Sequence, residues 1–220
     1  MLVTRPSGSA VMTDVVVKVF KNAEECQLAF FRSLDNPEVS VRVYASRGDL
    51  MVMEKGEDVK SLGMPLLYPL LEKVWTREGN GFQVATKEEY LEYVTRDPEL
   101  PEAFKEAIDQ LRSGFMEAEP NAKQIHGDLT LENVVRLRNG ELRFIDFSIR
   151  KEVPFREADI SKFLFSEFRW KNVKPLVSGL SPLMRFFVIC HFCRVWTRDK
   201  PARIHLEKLF QDFITRSSDE

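Results

Sequence analysis

Cysteine is scarce in this chain: three residues in 220, Cys26, Cys190 and Cys193. An odd number without framework spacing argues against a disulfide framework and reads as reduced thiols of a cytoplasmic protein. The start, "MLVTRPSGSAVMTDVVVKVF", lacks a basic segment followed by an apolar core and a cleavage site, so no secretory signal is expected. Long apolar runs are also missing. The strongest, "MRFFVICHFCRVW", is broken by Arg185, His191 and Arg194, which excludes a membrane span. Neither charge sign dominates: the net charge is −2. That balance gives no electrostatic reason to expect nucleic acid or an anionic membrane as partner. Repeats and low-complexity tracts are absent too.

What is present is a soluble composition, 44% hydrophobic and 30% charged, long enough to bury a substantial core. "VVVKVF" (15–20) reads as a strand and "NAEECQLAFFRSL" (22–34) as a helix capped by Asn22, with Glu25 at the capping-box position. "VSVRVYA" (39–45) and "DLMVME" (49–54) read as two strands joined at Ser46-Arg47-Gly48. "KGEDVKSLG" reads as a linker, placing a boundary between residues 1–55 and 56–220. Helices are expected at 65–75, 86–97, 100–119, 157–169, 182–197 and 201–215. Ser181-Pro182 supplies a cap and a first-turn proline. "CHFC" (190–193) lies inside an apolar helix without a second ligand pair, so buried thiols are expected there, not zinc.

Polar residues concentrate in "IHGDLTLENVV" (125–135), and "VVRLRNGELRFIDFS" completes the stretch. Asn139-Gly140 between alternating apolar runs signals a hairpin. A two-residue loop there would set Val135 opposite Phe144 and Asn133 opposite Asp146, converging two hard oxygen ligands suited to Mg²⁺. Asp128, five residues earlier, is left to meet a substrate hydroxyl. The same register sets Arg136 against Arg143, an unfavourable like-charge pair.

His126-Gly127-Asp128, four residues, Asn133, a hairpin and "FIDFS" with Asp146 together resemble the protein-kinase-like phosphotransferases, in particular the aminoglycoside and choline phosphotransferase branch. Glycine at 127, where protein kinases usually carry arginine, and the absence of an "APE" segment after Asp146 favour that small-molecule branch. The resemblance implies an α+β, two-lobed protein-kinase-like fold with a minimal antiparallel N-lobe sheet and a mainly helical C-lobe. It implies a kinase using ATP or GTP with Mg²⁺ to phosphorylate a hydroxyl of a small molecule such as a sugar or amino alcohol. The alternatives are a small atypical protein kinase and a pseudokinase that binds nucleotide as an interaction module.

As the resemblance implies, Asp128 accepts or orients the hydroxyl proton, His126 orients the loop, and Asn133 and Asp146 hold Mg²⁺. Lys18 pairs with the α/β phosphates, braced by Glu25 or Glu24. The backbone of Met53, Glu54 and Lys55 holds adenine. "PSGSA" with Gly8 is the only stretch placed to cover the phosphates, and Asp159 braces the catalytic loop.

Overall fold

A computed structural model describes residues 2–4, 10–12, 15–79, 81–171 and 179–217. The chain divides into two compact units, Met1–Gln83 with Leu131–Arg150, and Val84–Thr130 with Lys151–Glu220.

In the first unit, β1 (Leu2–Thr4) pairs antiparallel with β2 (Ala10–Met12). β3 (Val15–Val19), β4 (Val43–Arg47) and β5 (Leu50–Glu54) form a second antiparallel sheet with β5 at its centre. Between β3 and β4 lies α1 (Ala23–Asp35), whose start is fixed by the Asn22 side chain accepting from the Glu25 N–H at 2.9 Å. α2 (Met64–Thr76) comes after β5, begins with Pro65 in its first turn, and continues through Pro69.

The "KGEDVKSLG" stretch is not simply a linker. Its Glu57–Asp58 form β6, which pairs with β7 (Val134–Arg136), and β7 pairs with β8 (Leu142–Phe144). This pairing, with Glu57 opposite Arg136, draws the hairpin into the first unit, so the division differs from a single boundary at residue 55. The far side of β8 is covered by residues 39–41: the Phe144 N–H donates to the Val39 carbonyl at 2.7 Å, and the Val41 N–H to the Phe144 carbonyl at 3.2 Å. Cys26 and Ala29 of α1, Met51 and Met53 of β5, and Val135 and Leu137 of the hairpin share one hydrophobic core.

The hairpin register is shifted by one residue from the expected one. Val134 lies opposite Phe144, Val135 opposite Arg143 and Arg136 opposite Leu142. The reason is a three-residue loop, Arg138-Asn139-Gly140. Leu137 and Glu141 close it, with the Leu137 N–H donating to the Glu141 carbonyl at 2.8 Å. Gly140 takes the left-handed conformation (φ +85°), and the Asn139 side chain accepts from the Glu141 N–H at 3.0 Å. Asn-Gly thus fills the last two loop positions of a turn-plus-bulge hairpin and not a two-residue turn. The shift removes the Arg136–Arg143 opposition, and Arg143 pairs with Glu141 at 2.5 Å.

The second unit is helical: α3 (Lys87–Thr95), α4 (Glu102–Glu117), α5 (Arg156–Lys171), α6 (Pro182–Arg198) and α7 (Arg203–Ser217). Thr86 and Glu89 close a full capping box at α3, and the Ser181 side chain caps α6. The core is aromatic, with Phe115 stacked on Phe186 at 4.2 Å and Phe104 against Phe210 at 4.1 Å. Cys190 and Cys193 are buried free thiols in α6. Burial pushes the Cys193 thiol up to about 12, so both cysteines pack and neither is poised for chemistry. Among the described residues, no helix is long and apolar enough to cross a membrane.

Gly56, between β5 and β6, tests this packing. A Cβ there would lie 2.5 Å from Cβ and 2.6 Å from Cγ2 of Val135. Gly56→Ala is expected to destabilise the protein by about 1–3 kcal/mol, an overpacking cost. Urea denaturation measures it, and an unchanged midpoint would contradict the close approach of Gly56 to β7.

Candidate active site

In the second unit, the residues before Asp128 are tied to the start of α5. The Arg156 N–H donates to the Asn121 side-chain oxygen at 2.8 Å, and the Asn121 amide donates to Glu157 at 2.9 Å. The Ala122 N–H donates to the Pro154 carbonyl at 3.1 Å. The strongest tie is Asp159, fully buried, whose two carboxylate oxygens accept from the His126 and Gly127 N–H groups at 2.8 Å each. Asp159 sits in the first turn of α5, where the helix dipole favours a negative charge. This is the bracing expected of Asp159. Gly127, the second of these donors, takes the left-handed conformation at φ +79° as the chain passes on to Asp128.

His126 is buried, and its Nδ1 accepts from the Asp128 N–H at 3.3 Å. His126 therefore shapes the loop. Asp128 itself is half exposed, and Lys162 Nζ lies 3.0 Å from its Oδ1. Burial would raise the Asp128 carboxyl, but Lys162, with contributions from His126 and Arg194, holds it below the usual carboxylate range. It is an ionised, half-exposed hydrogen-bond acceptor. Sequence reasoning missed Lys162. The signal was available: Lys162 lies one helical turn beyond Asp159 on α5, so both face the same loop.

In the first unit, Lys18 is in the middle of β3 opposite Met51, and its ammonium pairs with the carboxylate of Asp146. Both side chains are about one-third exposed. Lys18 also stands 5.0 Å from the centre of the Phe20 ring. Neither Glu25 nor Glu24 pairs with Lys18 among the described residues; Glu25 offers its N–H to Asn22 at the start of α1. Met53 is a buried residue of β5, opposite Val16. Glu54 ends that strand, with its N–H donating to the Arg42 carbonyl at 2.8 Å, and Lys55 leads on from it toward β6. Gly8 lies outside the described residues.

Asn133 ends a 3-10 turn (Leu131–Asn133) and is half-buried. In the observed register its carbonyl accepts from the Ile145 N–H at 3.0 Å, so Ile145, and not Asp146, is its direct partner. Asp146 falls one residue beyond. It is the one non-glycine residue among those described with a positive φ, +57°. Such a conformation persists only where neighbours enforce it, and it clusters at functional sites. The residue that follows, Phe147, is buried and anchored by its ring. Its ring meets the fully buried Arg32 guanidinium at 5.2 Å and the Phe144 ring edge-on at 6.3 Å, while Phe82 holds Arg32 from another side at 4.8 Å. Arg32 is a second positioning residue that the sequence did not disclose. The donor chemistry fits Mg²⁺: one carboxylate and one amide oxygen, with other positions left to water and phosphate. Among the described residues, no cluster of three or more His, Cys, Asp or Glu forms a metal cage.

Comparison with protein-family models and with curated protein sequences finds no match. Solved structures do match. The choline kinase LicA from Streptococcus pneumoniae is similar at a TM-score of 0.62 and 15% identity, over 94% of this chain and 89% of that one. LicA in complex with AMP gives 0.56 and 14%, over 96% and 80%. A choline/ethanolamine kinase family protein from Mesorhizobium loti gives 0.57 and 13%, over 95% and 82%. At such identities the likeness is one of fold. With its small antiparallel sheets, seven helices among the described residues and these neighbours, the chain has the α+β, protein-kinase-like fold of the choline kinases.

Proposed function

We propose that this chain is a kinase that transfers the γ-phosphoryl group of ATP or GTP to a hydroxyl of a small molecule. The observation that carries this reading is the His126-Gly127-Asp128 loop. Two backbone N–H groups are clamped by Asp159, the ring of His126 is turned inward, and an ionised Asp128 is held half exposed. The choline kinase neighbours, one of them solved with AMP, support it.

Phosphoryl transfer is catalysed mainly by positioning and charge neutralisation. Asp128 receives the proton of the acceptor hydroxyl as its oxygen bonds to the γ-phosphorus. The bond to the β,γ-bridging oxygen breaks, and the nucleoside diphosphate leaves with that electron pair. A carboxylate of low pKa serves because the hydroxyl becomes acidic mainly as the new P–O bond forms. Lys18 exchanges Asp146 for the α/β phosphates. Asn133 and Asp146 would hold Mg²⁺, which when bound neutralises phosphate charge. The backbone of Met53, Glu54 and Lys55 borders adenine, Gly8 belongs to the loop over the phosphates, and Glu25 lies near the lysine. The proposed location is the cytoplasm, in keeping with the reduced thiols.

Asp128→Ala is expected to lower phosphoryl transfer by roughly 10²–10⁴-fold while nucleotide affinity stays nearly constant. Single-turnover transfer from labelled ATP measures the first and calorimetry the second; turnover equal to wild type would refute the assignment. For Asp146→Ala the expected loss is in the magnesium dependence of nucleotide affinity. Titrating ATP with and without Mg²⁺ reads this, and an unchanged magnesium effect would remove Asp146 from the metal site.

A further inference from the structure

The fold neighbours are named for choline and ethanolamine, which are cationic alcohols. The charges around Asp128 do not suit a cation. Lys162 Nζ stands 3.0 Å from Oδ1 of Asp128, on a side chain 21% exposed beside a carboxylate 50% exposed. Among the described residues, Lys162 has no other ion-pair partner. Two further groups that lower the Asp128 carboxyl are His126 on its own loop and Arg194 of α6. Arg194 is already paired bidentately with the buried Glu152. Asp159, the acid that braces the loop, directs both oxygens to backbone N–H groups. An ammonium head beside the reacting hydroxyl would therefore approach Lys162 with the Asp128 carboxylate already neutralised.

An ammonium has three N–H donors, and Asp128 occupies one. The pair thus presents an acceptor and a donor side by side, one hydrogen-bond length apart. Adjacent hydroxyls of a sugar match that spacing: one O–H donates, and its neighbour's oxygen accepts. Resting on the kinase reading above, we propose that Lys162 determines acceptor specificity, and that the acceptor is a neutral or anionic polyol, a sugar or sugar acid, and not a cationic amino alcohol. The reacting hydroxyl donates to Asp128 while the vicinal oxygen accepts from Lys162. In the transfer step the proton passes to Asp128 and the phosphoryl group to the hydroxyl oxygen. Lys162 keeps its charge throughout, and it acts as a positioning residue.

The test supplies purified full-length protein with Mg²⁺ and γ-labelled ATP. The acceptors are ribose, glucose, myo-inositol and glucuronate on one side, choline, ethanolamine and kanamycin on the other. Label is expected in a polyol with kcat/KM at least about tenfold above every cation, the scale of one charged hydrogen bond. Lys162→Met should raise KM for that polyol by about tenfold or more. It should also move the acid limb of the pH profile upward, because Asp128 loses its neighbouring cation and protonates at higher pH. Lys162→Arg should restore both, which a purely structural role would not require. Preferential labelling of a cation overturns the proposal, as does a Lys162→Met variant with wild-type KM and pH profile. Absence of label from every acceptor while calorimetry still shows Mg-ATP binding overturns it alone. Absence of Mg-ATP binding removes the kinase reading beneath it as well.

Discussion

A single buried carboxylate orders the His126-Gly127-Asp128 loop of this protein. Asp159 has no exposed surface, so its charge must be met inside the fold, and two adjacent backbone N–H groups meet it. The second donor, Gly127, takes the left-handed conformation that glycine adopts freely and carries the chain on to Asp128. Asp128 emerges with its N–H tied to His126 and its carboxylate left half exposed. Loss of the Asp159 charge would leave buried donors without acceptors, a larger penalty than the net value of the bonds themselves.

The first unit solves a different problem, that of holding one residue in a costly conformation. Asp146 at φ +57° lies between two buried aromatic residues, Phe144 two positions before it and Phe147 directly after. Phe147 is packed against Arg32 and Phe144, while Phe144 is hydrogen-bonded to residues 39 and 41. A helix, an extended segment and a hairpin thus converge on the two aromatic residues that flank Asp146. Arg32, near the end of α1, does with a cation and two aromatic faces what a purely apolar residue could do only with less directional contact.

Much of this was legible in the sequence. The capped helices lie within a residue or two of expectation because Asn22, Thr86 with Glu89, and Ser181-Pro182 act locally. The motif His126-Gly127-Asp128, Asn133, Asp146 pointed to the fold that the solved structures share. The register was not legible, because Asn-Gly serves both a two-residue turn and the end of a three-residue loop. The Arg136–Arg143 clash was the sign that the second applied. Lys162 and Arg32 escaped for a common reason. Each is a cation on an amphipathic helix, and only tertiary packing distinguishes it from a solvated one.

On the proposed function, the pairing of Lys18 with Asp146 has a consequence for how ligands would arrive. With its two charges cancelling, that corner of the first unit holds neither a bare cation site nor a bare anion site. A free metal would have to displace a lysine, and a free phosphate would have to displace a carboxylate. Metal and nucleotide arriving as one complex exchange both partners at once. On the proposed function, the empty protein therefore ignores the separate ions of its surroundings and answers to their combination.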